Sequence, residues 1–167
     1  MEDTVELVGE ILEAALDHIG TPNTMRALSR VLSEHYGTCA AVLYGLKPDG
    51  NLEFVEGFGF PPIFENELRS VSLFDSWPLT ESIREGKIIR TSVTEALEKY
   101  PRFSELNSPP AVGYMVPCYS SGSPMGGLIV AFFAAEDLGQ VPSAVLQAMQ
   151  VASYHVLSRQ LGLVEVP

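Results

Sequence analysis

The sequence predicts an α+β domain, a central antiparallel sheet with the terminal helices on one face and an irregular helical crossover over the other. Three observations carry that expectation. Residues 38–46 and 51–59 are strand-like runs joined by Lys47-Pro48-Asp49-Gly50, a turn in which Pro presets φ and Gly supplies a positive one. Residues 114–135 repeat the pattern late in the chain, as strand, polar Gly/Ser/Pro turn, strand. Helical periodicity brackets both at 4–19 and 142–160, and an antiparallel sheet with segregated helices follows from that order.

The first helix carries Val5, Val8, Leu12, Ala15, Leu16 and Ile19 on one face and Glu6, Glu10, Glu13 and Asp17 on the other. Asp3 with Glu6 reads as a capping box and Gly20 as the stop. A second helix is expected from Pro22, with Thr21 as N-cap, Met25, Leu28, Val31, Leu32 and His35 along one side, and Gly37 at its end. The two strands of the first hairpin follow.

Residues 60–110 are punctuated by Pro61-Pro62, Pro78, Pro101 and Pro109-Pro110. Within them the sequence predicts a helix from Pro78 to about Glu85, stopped by Gly86, then a strand over Lys87 to Thr91. Ser92 and Glu95 form a second capping box, opening a helix that stops before Pro101. Connections of this length often form lids or pocket walls, so a pocket is expected between crossover and sheet. Two long strands are expected at about 111–119, closing on Val116-Pro117, and at 126–135, opening on Gly126-Gly127. The last helix has Val145, Ala148, Met149, Ala152, Val156 and Leu157 as its apolar stripe.

Composition bounds the function. The 167 residues suffice for one domain with its own core. A net charge of −11, with the basic residues scattered, argues against direct nucleic-acid binding, which needs clustered Lys and Arg. The acidic N-terminus is no signal peptide, and the longest apolar run, Leu128 to Ala135, is too short to span a bilayer. The expectation is a cytoplasmic protein without membrane contact. Cys39 and Cys118 sit in apolar strands and read as buried, reduced thiols; without a CxxC or Cys/His cluster a structural zinc is not expected.

Five local patterns, in order, resemble the GAF domain family, whose fold is related to PAS domains. They are Tyr36-Gly37-Thr38-Cys39-Ala40-Ala41-Val42-Leu43-Tyr44; Asp49-Gly50 with Leu52 to Gly59; Ile83-Arg84-Glu85-Gly86-Lys87-Ile88-Ile89; Met115-Val116-Pro117; and Pro124-Met125-Gly126-Gly127-Leu128-Ile129. The resemblance implies an N-terminal amphipathic helix at 1–19, serving dimerisation or linkage, a GAF-like domain at 20–161 and a tail at 162–167. It implies a sensory or regulatory module that binds a small molecule, dimerises, or both, in signal transduction or transcription control. A purely structural dimerisation module is the alternative. Partners would be a second copy through the terminal helices and an output domain or partner protein.

Cofactors the family can carry are tested by residues. Bilin carriers present a Cys, often with a His, in the crossover, and residues 60–110 have neither, which argues against a covalent bilin. His18, His35 and His155 all lie on terminal helices, which argues against haem. The free methionine sulfoxide reductases of the family use several cysteines; only Cys118 is a candidate here, so the expectation is a non-enzyme. The cofactor stays unnamed.

Candidate ligand contacts are Phe74, Trp77 and Tyr114 by stacking, Ser76, Thr80 and Thr91 near helix and strand ends, and Arg84 toward an anionic group. Each has a plainer role: core packing for the aromatics, capping for the hydroxyls, a solvated helix face for Arg84.

Overall fold

The computed structural model describes residues 2–18, 21–59, 66, 68–99, 112–133 and 141–160. The elements are α1 (Glu2–Asp17), α2 (Thr24–Tyr36), β1 (Cys39–Leu46), β2 (Asn51–Phe58), β3 (Ser70–Ser72), α3 (Pro78–Glu85), β4 (Ile89–Ser92), α4 (Val93–Lys99), β5 (Val112–Ser120), β6 (Ser123–Phe132) and α5 (Ser143–Gln160). The strands form one six-stranded sheet in the order β3-β2-β1-β6-β5-β4, antiparallel throughout.

Strand alternation divides the interior into two cores. Ala41, Leu43, Val116, Leu128 and Val130 face the terminal helices and meet Leu7 and Ile11 of α1, Met25, Leu28 and Leu32 of α2, and Val145, Met149 and Leu157 of α5. Val42, Tyr44, Met115 and Ile129 face the crossover and meet Trp77, Leu79 and Ile83. The central strands β1 and β6 are covered on both faces, which is why they read as near-continuous apolar runs. The expected architecture is therefore observed.

The differences are local. The α2 helix starts at Thr24, not Pro22, because Thr21 turns back: its hydroxyl donates to His18 O (2.8 Å) and accepts from Asn23 N–H (3.3 Å). The α1 helix starts at Glu2, which puts Asp3 inside its first turn. Ile19, Gly20, Pro61-Pro62, Pro101, Pro109-Pro110 and the tail at 162–167 lie outside the described residues. The β4 strand begins at Ile89 rather than Lys87, and β3 went unread.

The late hairpin is tighter than expected. The β5 strand runs through Pro117 to Ser120, and β6 opens at Ser123, not Gly126. The turn is Ser121-Gly122, with φ of 51° and 81°, the two positive values a two-residue hairpin turn demands. Pro117 is tolerated because β4 pairs with β5 only as far as Met115, so the missing N–H falls where β5 has a single neighbour. Met125 is the extra residue of a bulge, since Cys118 pairs with Gly126 and Tyr119 with Pro124.

Gly126 and Gly127 permit the closest approaches among the described glycines. A Cβ on Gly126 would lie 2.1 Å from the Tyr44 carbonyl oxygen, and one on Gly127 would lie 2.7 Å from Leu79 Cδ1. The first neighbour is backbone and cannot yield; the second is a side-chain methyl that can. Gly126→Ala is expected to cost about 3 kcal/mol or more and Gly127→Ala clearly less, read from urea midpoints at unchanged m. Equal costs would remove the backbone contact as the cause.

Candidate functional site

A cavity formed by described residues lies on the helix-covered side of the sheet. It has a volume of about 610 Å³ and opens between α1, the entry to α2, β2 and α5. Leu12, Ala15 and Leu16 come from α1, and Val151, Ala152, His155, Val156 and Arg159 from α5. Thr21, Pro22 and Thr24 close one end, and Val55 and Glu56 supply the sheet wall.

Glu56 is the buried carboxyl of this site. Its Oε1 accepts the backbone N–H of Met25, which caps α2 from across the fold in place of a local N-cap side chain. Burial pushes its carboxyl above the usual range, while the Met25 and Thr24 N–H groups and His18 pull the other way. Sequence reading missed Glu56. The available signal was an acidic residue at an interior position of a strand, opposite Leu43 in the β1 pairing.

The residues expected to bind ligand do not converge. Trp77 is buried and packs edge-on against Tyr44 at 5.4 Å between ring centroids. The Thr80 hydroxyl lies 2.6 Å from Asp75 O and 2.8 Å from Trp77 O, tying the turn that leads into α3. Arg84 donates to the carbonyls of Leu73 and Asp75 and pins the same turn. Phe74 is 79% exposed and Ser76 is exposed. Thr91 is buried on β4 opposite Gly113. Tyr114 faces the helices, where its hydroxyl accepts the N–H of Val141 (3.0 Å) and that of Arg90 Nε (3.3 Å). Trp77, Thr80 and Arg84 thus meet around one turn, while Tyr114 stands on the other side of the sheet.

Thiol chemistry finds no support in the geometry. Burial pushes the Cys118 thiol up to about 12 and that of Cys39 up to about 11, and Cys39 Sγ donates to Ser29 O at 3.2 Å. Neither ionises appreciably near neutrality. Among the described residues no group of His, Cys, Asp or Glu could hold a metal ion, and no helix is long and apolar enough to cross a membrane.

Comparison with solved structures follows this geometry. A GAF domain from an Acinetobacter phosphoenolpyruvate-protein phosphotransferase superimposes with a TM-score of 0.72 at 12% identity, covering 96% of this chain and 98% of its own. A Geobacter sulfurreducens GAF domain/HD domain protein matches at 0.63 and 15%, covering 90% and 99%. The fold is GAF-like. A free methionine-R-sulfoxide reductase from Neisseria meningitidis shares this GAF-like fold, at 0.65 and 15%, covering 95% and 91%. No protein-family model and no curated protein matches the sequence.

Two outcomes check the site. With Glu56 pushed up by burial, its contribution to folding is full below the pKa of an unfolded glutamate and is lost as pH rises through the raised folded value. Glu56→Gln keeps the acceptor oxygen without the charge, so it should gain stability relative to the parent as pH rises from about 4.3, the ordinary glutamate value, through the raised folded one. A pH-independent difference in thermal unfolding would remove burial as the dominant influence. Trp77→Ala should cost about 3–5 kcal/mol, as a core aromatic does. A loss below about 1 kcal/mol would instead fit a surface lid.

Proposed function

We propose that this chain is a non-catalytic sensory or regulatory GAF-like module, which binds a small ligand, pairs with a second copy through its terminal helices, or both. Its setting would be signal transduction or transcription control. The observation that carries the reading is the apolar surface left on those helices. Val5 is 75% and Leu16 68% exposed on α1, with Leu12 between them and Val151 of α5 beside the same cavity. Scattered exposed apolar residues are ordinary, but a stripe at helical spacing continuous with a cavity is the form an interaction surface takes.

The fold alone does not choose between regulator and enzyme, because free methionine-R-sulfoxide reductases share it. The two buried cysteines favour the non-catalytic side. A ligand shared between the helices would act by binding one arrangement of them more tightly than another.

Native mass spectrometry of the purified protein beside a denatured control tests both halves. A dimer that Leu16→Glu converts to monomer supports pairing through α1, and additional mass lost on denaturation supports a bound ligand. A bare monomer at every concentration, unchanged by Leu16→Glu, would defeat the pairing half. Methionine sulfoxide reduction abolished by Cys118→Ser would defeat the non-catalytic reading.

A further inference from the structure

The helix-side cavity differs from both cores in holding a cation without a partner among the described residues. Arg159 lines it from the last turn of α5, and among the described residues it makes no hydrogen bond or ion pair. His155 lies one turn earlier on the same helix face and lines the same cavity. They are the only basic residues of α5, and they stand together in a chain of net charge −11. The acidic group of the cavity does not neutralise them. Glu56 is engaged by the first N–H groups of α2, and no ion pair joins it to Arg159.

The remaining lining sets the rest of the ligand. Leu12, Leu16, Val55, Val151 and Val156 present aliphatic carbon with no aromatic ring among them, which suits a flexible hydrocarbon better than a flat heterocycle. A volume of about 610 Å³ falls within the range of sites that enclose small ligands. A guanidinium at the edge of such a floor matches a carboxylate in charge and in its two-pronged geometry.

We propose that this cavity binds a small amphipathic carboxylate, its aliphatic chain against Leu12, Leu16 and Val151 and its head group on Arg159 and His155. The proposal rests on the ligand-binding half of the reading above and names the ligand class and the site. A molecule held on the crossover side would be untouched by its failure.

The probe is decanoate, titrated calorimetrically into the full chain below its micellar concentration, with decyltrimethylammonium as the charge-reversed control. The expected result is saturable one-to-one binding of decanoate and none of the cation. Arg159→Gln should weaken decanoate about tenfold or more, the loss of one charge-assisted contact. Val151→Trp, at a site 47% exposed, should abolish binding by filling the cavity while leaving the circular dichroism unchanged. Absence of saturable binding, equal binding of the cation, or indifference to both substitutions would overturn the proposal. So would binding that appears only when a dimer is diluted to monomer, or only after residues 161–167 are deleted. Those outcomes would give the cavity to a second copy or to the chain's own tail.

Discussion

The structure depends on one absence of side chains, at Gly126 and Gly127. The β6 strand lies between β1 and β5, so the register of the whole sheet is set there. Gly126 pairs with Gly45 and with Cys118, and Gly127 with Tyr44 and Pro117. Backbone carbonyl from β1 crowds the first glycine and the Leu79 and Ile83 side chains of α3 crowd the second. One dipeptide therefore fixes both the sheet and the seat of the crossover helix upon it. Larger residues would push β1 and α3 away, and the two cores are built on those two elements.

Around that point the two faces are tied down differently. On the crossover face polar bonds lock turns onto the sheet. The Tyr44 hydroxyl reaches Leu68 O at 2.6 Å, the Tyr119 hydroxyl reaches Ile83 O, and Arg84 holds the turn before α3. The helix face is held mainly by hydrocarbon, with α1 resting on α2 and α5 through Leu7 and Ile11. Apolar packing is non-directional, and the contact of Glu10 with His35 at 3.1 Å adds a polar tie between α1 and α2.

What the sequence made legible follows from how local each determinant is. The bounds of α3 were readable because Pro78 and Gly86 act within their own turns. The capping box of α4 was readable for the same reason, Ser92 Oγ accepting the Glu95 N–H at 3.2 Å. The start of α2 was not, because its cap is supplied by Glu56, 31 positions away. The opening of β6 was misjudged because Pro124 reads as turn, yet it stands before β1 pairing begins at Gly126, where a proline is tolerated. Tyr114 was assigned to the wrong neighbourhood although strand parity held the answer: it alternates with Met115, which faces the crossover, and shares a face with Val112 and Val116. The cavity itself was beyond reach, being assembled from four elements whose approach no local pattern encodes.

Glu56 connects these parts. It sits on β2, caps α2, and forms part of the wall of a cavity whose other walls are α1 and α5. The cap and the cavity therefore share one group. Filling the cavity removes water from around Glu56, which deepens the burial that already favours its neutral form. A neutral carboxyl still accepts the Met25 N–H but complements the positive end of α2 less well. Occupancy would thus be felt at the entry of α2 as well as along α1 and α5. A ligand makes a switch of this only to the extent that it binds the two helix arrangements unequally, and a lining shared between Leu12 and Leu16 of α1 and Val151, His155 and Arg159 of α5 is where such a difference would arise.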